Sequence, residues 1–442
     1  MIVLKYTQVT IILVRHRVAR LICHSLEVTM NARERVRTAL SHRQPDRVPY
    51  DLAGTRSSGI SALAYHHLRN YLGLPARPLK VYDMIQQLAL VDDDVLDLFE
   101  VDTVELGRGF ALEDRYWKEW QLPGGIPCLI PAWINVERQP DRWIIRSQSG
   151  RELARQPDGA LYFEQVYWPY AEVPDPALDL PAAMDESMWT AISGPPGPLA
   201  GTPGTWDKLA EGAKALREGT DRAVVALFGG NMLELGQFLY RNDNFYMLLA
   251  GEPEQAHAFL HQAADMYMLK LEHYLGAVGP YIDVISYNDD LGMQNGPQIS
   301  PRMYREFFGP HYRRMYRRTK ELAPHVTIML HTCGGIRELL PDLIADGLEA
   351  FNPVQISCRG MEARGLKRDF GQQMVFWGGG CDTRSILPHG TPDEVRAHVQ
   401  EQVDILNPGG GFVFQQVHNI LADVPPENIV AMVEAVQHKK LV

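Results

Sequence analysis

Short apolar runs that end abruptly in polar or glycine residues recur along the chain from Met30 onward. Eight such units are present, and each run is followed by a cluster rich in Gly, Asp, Asn, His or Cys. The runs cover residues 48–53, 101–106, 223–228, 282–287, 327–330, 348–351, 374–377 and 412–417. Apolar runs without polar alternation are typical of parallel strands that are buried on both faces.

Helix signals lie between these runs. Ser300 followed by Pro301 is typical of an N-cap and a first helical residue, and Thr391 with Glu394 and Asn31 with Glu34 have capping-box spacing. A strand–helix unit repeated eight times predicts an α/β chain folded as a (β/α)8 TIM barrel, with its chemistry at the strand C-termini. A doubly wound sheet is the alternative.

Residues 109–200 interrupt the alternation, being rich in Trp, Tyr, Pro and Gly. Asp158-Gly159 between short alternating runs is a hairpin signal. We therefore expect an antiparallel β-insertion after the second strand, followed by a Pro/Gly linker around residues 194–198. Its aromatic side chains would either cover the mouth of the barrel or form a small core of their own.

Residues 1–29 differ from the rest of the chain, because they contain several basic residues and no acidic residue before Glu27. Their apolar run is too short to cross a bilayer, which needs about 20 apolar residues. We expect an N-terminal extension at 1–29, dispensable for stability and activity, and one domain at 30–442 in a cytoplasmic protein. A cationic targeting presequence is the alternative.

Composition narrows the class of protein. The 442 residues include 43 basic and 54 acidic side chains, a net charge of −11, so the broad cationic surface of a nucleic-acid-binding protein is missing. Five cysteines are too few for a disulfide framework and indicate a reducing compartment. Neither a P-loop nor a G-x-G-x-x-G motif is present. We expect a small-molecule substrate, with no nucleic-acid or membrane partner.

The strongest local motif is His331-Thr332-Cys333. Residues i and i+2 of an extended segment point the same way, so imidazole and thiol can reach one ion, and this pair suits zinc. Cys381, after the seventh run, is the expected third ligand. In the alternative, both cysteines are small buried residues and His331 forms only local hydrogen bonds.

Other strand ends carry candidate catalytic groups. Asp289 and Asp290 follow the fourth run, where mutual repulsion can raise one pKa for acid or base catalysis. His418, after the eighth run, is a candidate ligand or proton donor, or a histidine satisfied within its loop. Arg56 and Arg108 could meet a substrate carboxylate, or could simply face solvent.

From about Asn31 to its C-terminus, the chain resembles the uroporphyrinogen decarboxylase superfamily. The resemblance is carried by seven segments: Arg33-Glu34-Arg35-Val36, Pro45-Asp46-Arg47-Val48-Pro49, Asp289-Asp290-Leu291-Gly292, Ile299-Ser300-Pro301, His331-Thr332-Cys333-Gly334, Gly390-Thr391-Pro392-Asp393-Glu394-Val395 and Val424-Pro425-Pro426-Glu427-Asn428-Ile429. It implies a (β/α)8 barrel with its active cleft at the C-terminal ends of the strands.

Two activities of that superfamily compete. Its decarboxylases carry an arginine-rich segment after the first strand, where this chain has only Arg56. Its corrinoid-linked methyltransferases bind zinc through a His-x-Cys pair, matched by His331 and Cys333, and a later cysteine. Residues 408–411 read Pro-Gly-Gly-Gly without that cysteine, which leaves Cys381, or His418, to replace it.

The resemblance thus implies a zinc-dependent methyltransferase that moves a methyl group between a corrinoid or other donor and a thiol acceptor. A corrinoid protein is then a candidate partner. The alternative is a decarboxylase acting on uroporphyrinogen or a related carboxylated substrate.

Overall fold

The computed structural model describes residues 30–110, 113–171, 179–188 and 202–441. The predicted N-terminal extension at 1–29 and the predicted linker around 194–198 lie outside these residues.

A parallel sheet of seven strands, curled on itself, organises the chain. Its strands are β1 (Thr103–Glu105), β2 (Ala223–Gly229), β3 (Val284–Asn288), β4 (Thr327–His331), β5 (Ala350–Asn352), β6 (Val375–Trp377) and β7 (Phe412–Val413). Their order in the sheet is their order in the chain, unlike that of a doubly wound sheet, which reverses at a switch point. The arrangement is consistent with the TIM-barrel-like fold predicted from the sequence.

The first predicted strand, residues 48–53, contributes a single parallel bridge, between Tyr50 and Phe414. The Phe414 amide donates to Pro49 O (2.8 Å), and the Tyr50 carbonyl accepts from Asp102 N (2.8 Å). Because Phe414 follows β7 and Asp102 precedes β1, this segment connects the two edges of the seven-stranded sheet.

The sheet is buried on both faces, as the unbroken apolar runs predict. Alternate strand residues, among them Val225, Val284 and Met329, form a small interior cluster with Val36 of the helix Ala32–Leu40. Their neighbours in sequence pack outward against the helices in the large core. Two residues further along β4 and β5, the inward-facing residues are polar, namely His331 and Asn352. The polar side chains of the site therefore lie next to the apolar interior cluster.

Helices surround the sheet, and one of them, Ala32–Leu40, places Val36 in the interior cluster. They are Ala32–Leu40, Ala62–Tyr71, Asp93–Leu98, Leu180–Asp185, Thr205–Glu218, Leu233–Tyr240, Asn242–Gly251, Pro253–Val278, Pro301–Met303, Gly309–Leu322, Leu340–Ala345, Ala363–Phe370, Ile386–His389, Pro392–Leu406 and Pro426–Gln437, with a π-helical turn at Tyr304–Phe308. The three predicted N-caps, Asn31, Ser300 and Thr391, are confirmed, the first and last as full capping boxes. Within the described residues, none of these helices has the length and apolar character needed to traverse a bilayer.

Antiparallel strands lie between β1 and β2. One pair joins Trp117–Gln121 with Pro127–Pro131, and a four-stranded sheet contains Asn135–Gln139, Arg142–Arg146, Glu152–Pro157 and Glu164–Gln165. Gly159 has a φ of +83° in the turn between the last two. Trp120 contacts the rings of Trp143 and Phe163 at centroid distances of 5.6 and 6.4 Å, so these aromatics pack on one another.

Candidate active site and metal centre

A cavity of about 350 Å³ lies at the C-terminal ends of the strands. Residues 54–57, which follow the first predicted strand, and the C-terminal ends of β1 to β4 supply most of its lining. The lining residues are Gly54, Thr55, Arg56, Ser57, Gln86, Glu105, Val225, Leu227, Gly229, Asn231, Glu234, Phe238, Ser286, Asn288, Asp290, His331 and His418. The cavity therefore occupies the position where enzymes with this kind of sheet carry out their chemistry.

His331 and Cys333 approach each other at the end of β4. The His331 Nε2 and Cys333 Sγ atoms are 3.5 Å apart. Between them Thr332 turns the opposite way, and its hydroxyl accepts a hydrogen bond from Leu291 N at 3.0 Å. Gly334 follows with a φ of +87°, and a Cβ there would lie 2.2 Å from the Gly292 backbone. The motif thus anchors its loop against residues 291–292 while it presents imidazole and thiol together.

His418 completes a group of three. Nitrogen or sulfur atoms of His331, Cys333 and His418 all lie within 4.8 Å of one another. The two imidazole rings are 5.7 Å apart between centroids. Burial, together with the neighbouring His331, lowers the pKa of His418, which favours the neutral imidazole that metals bind.

Cys381 does not join this group. Its side chain is fully buried in the large outer core, and its backbone forms a parallel bridge with Gln416. Burial also raises the pKa of its thiol far above the usual range. His418, and not the predicted Cys381, is therefore the third member of this group. The reason is that Cys381 faces the helices, whereas the cavity lies on the other face of the sheet.

The two adjacent aspartates have separate environments. Asp290 lines the cavity; its Oδ1 accepts from Cys333 N at 2.7 Å and lies 3.7 Å from His331 Nε2. Asp289 is fully buried and accepts from the backbone amides of Met232, Leu233 and Glu234 and from the hydroxyl of Tyr312. Only Asp290 is therefore placed to meet a substrate.

Asp289 holds the start of the helix Leu233–Tyr240. Burial raises its pKa to about 6, even though the hydrogen bonds from Tyr312 and three backbone amides favour the charged form. A carboxylate at a helix N-terminus satisfies amides that have no partner within the helix. Asp289 is therefore a positioning residue, which orders the first turn of this helix beside the cavity.

Glu234, in that first turn, lines the cavity although no motif in the sequence marks it. Its carboxyl accepts from Asn231 Nδ2 at 2.8 Å. Burial, followed by the charges of Asp290 and Asp289, raises its pKa well above the ordinary value. Glu105 at the end of β1 also lines the cavity, and burial raises its pKa too. The available signal was their position, since both stand at or just after strand ends.

The two arginines differ in placement. Arg56 lines the cavity and lies 3.3 Å from Asp83. Arg108 instead binds the backbone carbonyl of Val91 and the carboxylate of Asp93. Only Arg56 is available to an anionic group inside the cavity.

The donor set at the group of three is compatible with zinc. Zn–N and Zn–S bonds of about 2.05 and 2.3 Å at a tetrahedral angle place nitrogen and sulfur roughly 3.5 Å apart. His331 Nε2 and Cys333 Sγ are separated by 3.5 Å. Three protein ligands also leave one tetrahedral position free, as in catalytic zinc sites.

Comparison with known proteins agrees with the resemblance seen in the sequence. Residues 207–439, more than half of the chain, match the family described as "Uroporphyrinogen decarboxylase (URO-D)". A search of curated proteins finds no match. Among solved structures, a methyltransferase from Methanosarcina mazei has a TM-score of 0.55 and 17% identity, over 92% of this chain and 99% of that chain.

A xylanase 10B from Thermotoga maritima is far less similar, with a TM-score of 0.31 and 12% identity over 53% of this chain and 79% of its own. That likeness is too weak to bear on the fold. The match to the family over residues 207–439, together with the sequential parallel sheet and the cavity at its C-terminal edge, leads to one conclusion: the chain belongs to the uroporphyrinogen decarboxylase family.

Proposed function

We propose that this protein is a zinc-dependent methyltransferase, which moves a methyl group from a corrinoid or another methyl donor to a small thiol. The observation that carries the proposal is the convergence of His331, Cys333 and His418 within 4.8 Å beside the cavity. The solved structure with a similar fold that is described as a methyltransferase adds support. We propose further that residues 30–442 form one (β/α)8 barrel, with the antiparallel strands of residues 117–165 as an insertion after its second strand.

Zinc at this group would bind the acceptor thiol and keep it deprotonated, since a free thiol has a pKa of about 8.5 whereas a coordinated one loses its proton. In the transfer, the acceptor sulfur forms a bond to the methyl carbon. The bond between that carbon and its donor breaks, and the electron pair stays with the donor. A corrinoid protein is the corresponding candidate partner, because a cavity of about 350 Å³ suits the small acceptor and leaves the donor to approach from the mouth.

The residues around the group have definite tasks in this scheme. Asp290, bound to the Cys333 amide, holds the ligand loop in place and lines the cavity. Arg56 offers its guanidinium, which can pair with an anionic group on the acceptor. Phe238 contributes an apolar surface beside them.

The first experiment is metal analysis of full-length protein purified without chelators. We expect about one zinc per chain, and loss of most of it in His331→Ala, Cys333→Ser and His418→Ala, because each removes one of three ligands. Cys381→Ser and Cys358→Ser are matched controls, since both thiols lie outside the group of three, and both should retain the metal. Absence of zinc, or equal zinc in all five variants, would sink the proposal.

The second experiment supplies methylcobalamin and a panel of small thiols, and follows the methyl thioether by mass spectrometry. We expect product with wild type and Cys381→Ser, and none above background with Cys333→Ser. Product formation that is the same in Cys333→Ser would show that the group of three does not carry the reaction.

A further inference from the structure

Asn352, at the end of β5, is fully buried directly beside His331. Its side chain makes every hydrogen bond that an amide can make. Nδ2 donates to Trp377 O at 3.0 Å and to Gln415 Oε1 at 2.6 Å. Oδ1 accepts from Ser57 Oγ at 2.6 Å and lies 2.7 Å from His331 Nδ1.

The orientation of this amide is fixed by its partners. The Trp377 carbonyl is only an acceptor, so the atom that faces it has to be the nitrogen of Asn352. The oxygen of Asn352 then faces His331, and a short contact between two acceptors would be repulsive. His331 Nδ1 therefore carries a proton and donates it to Asn352 Oδ1.

A neutral imidazole that is protonated at Nδ1 has its lone pair on Nε2. In His331 this is the atom that lies 3.5 Å from Cys333 Sγ and 3.7 Å from Asp290 Oδ1. We infer that Asn352 is the positioning residue of the metal centre: it fixes the tautomer and the ring orientation of His331 so that Nε2 points at the ion. This inference deepens the proposed function and rests on it for the identity of the ion.

His418 has the same arrangement with a neighbour of its own. Its Nδ1 lies 2.9 Å from Asn419 Oδ1, and Asn419 Nδ2 donates to Gln86 Oε1 at 2.9 Å. Two asparagines thus hold the outer nitrogens of the two histidine ligands, and both Nε2 atoms are left for the metal.

The test compares two variants that disturb the same buried network. Asn352→Leu removes the partner of His331 Nδ1, whereas Gln415→Leu breaks the adjoining Asn352–Gln415 bond and leaves that partner in place. Zinc affinity is measured by competition with a chromophoric chelator. We expect a loss of about 10- to 100-fold in Asn352→Leu, the usual effect of removing a partner of a ligating histidine. Gln415→Leu should bind zinc nearly as wild type does.

A second readout needs neither metal nor a destabilised variant. Long-range ¹H–¹⁵N correlation spectra of metal-free wild type, labelled at histidine and assigned with His331→Gln, report the tautomer directly. We expect His331 protonated at Nδ1. A His331 protonated at Nε2, or unchanged zinc affinity in a folded Asn352→Leu, would overturn the inference. If wild type binds no zinc, the proposed function fails while the tautomer measurement still decides the role of Asn352.

Discussion

Two neighbouring carboxylates show how the fold separates structural from chemical roles at the scale of single residues. Both carboxylate oxygens of Asp289 accept hydrogen bonds, from backbone amides at the start of a helix and from the Tyr312 hydroxyl. The Asp290 side chain, in contrast, is one-third exposed and lines the cavity. In sequence the two are indistinguishable. Their roles diverge because successive residues of an extended segment point to opposite sides.

This difference predicts opposite phenotypes for conservative substitutions. Asp289→Asn turns an acceptor into a donor that faces backbone amides, so we expect unfolding free energy to fall by about 1–3 kcal/mol. Asp290→Asn keeps the oxygen that meets Cys333 N and should stay within about 0.5 kcal/mol of wild type, while methyl transfer declines. Urea unfolding and the transfer assay together check this. Stability lost at Asp290 and kept at Asp289 would reverse our assignment.

The residues of the candidate metal centre differ in how far the sequence predicts them. His331 and Cys333 could be paired from sequence, because the i, i+2 geometry is local. The choice between Cys381 and His418 depends on which face of the sheet each side chain meets. The backbone of Cys381 pairs with that of Gln416, which lies on the same outward face as Phe412 and Phe414. The three glycines before Cys381 carry no side chains, so the sequence does not indicate which face Cys381 meets. Asn352 gave no signal in sequence, since its partners lie 21 to 295 residues away.

At the scale of elements, helix starts were predictable because a capping box needs only four consecutive residues. The contacts between helices were not predictable, and the C-terminal helix Pro426–Gln437 is an example. Its Glu434 is nearly buried and accepts from Arg396, Lys440 and the Leu441 amide, at 2.8, 3.2 and 3.0 Å. These bonds tie the helix to its neighbour Pro392–Leu406 and to the residues after it.

Glu434 also predicts a pH dependence. Burial alone would raise its pKa, but hydrogen bonds from Leu441 N, Arg396 and Lys440 outweigh it and lower the pKa to about 2 from 4.5. An acid whose pKa is depressed on folding stabilises the folded state above pH 4.5 and loses this contribution as pH falls toward 2. We expect Glu434→Gln to cost about 1.5–3 kcal/mol at pH 7, and the difference from wild type to narrow by pH 3.

Urea titrations of both proteins at the two pH values measure that difference. Asp393→Asn is the matched control, because Asp393 pairs with the same Arg396 but is 95% exposed; its cost should be about 0.5 kcal/mol or less. A Glu434→Gln effect that stays constant from pH 7 to pH 3 would contradict the assignment of the depressed pKa.

At the scale of the whole molecule, the repeated strand–helix unit made the fold predictable. Seven of the eight predicted runs overlap a strand of the parallel sheet. The remaining run, residues 48–53, forms the bridge between Tyr50 and Phe414. The ends of the last run were less predictable, since β7 spans only Phe412–Val413. The residue after it, Phe414, forms backbone hydrogen bonds with Pro49 and Asp51. Pairing between segments so far apart in the sequence produces no local sequence pattern from which it could be predicted.

The charge of the cavity predicts which family substrate the protein rejects. Among the lining residues that the structure describes, Arg56 is the one arginine or lysine, and Glu105, Glu234 and Asp290 face the same space. A substrate with several carboxylates would lack charge-assisted partners there. We expect no useful formation of coproporphyrinogen from uroporphyrinogen in an anaerobic assay that includes a true decarboxylase as positive control. Turnover comparable to that control would favour decarboxylation over methyl transfer.

The contact between the two edges of the sheet has a consequence for synthesis of the protein on the ribosome. Ser57 and Gln415 share a buried hydrogen bond across 358 residues of chain. At a synthesis rate of about 5–20 residues per second, the earlier residue waits roughly 20 to 70 s for its partner to be made. Through that interval one edge of the growing sheet has no neighbour, and in its last part His331 and Cys333 have been made whereas His418 has not. The open edge of the nascent sheet therefore stays unpaired until residues 412–415 have been synthesised.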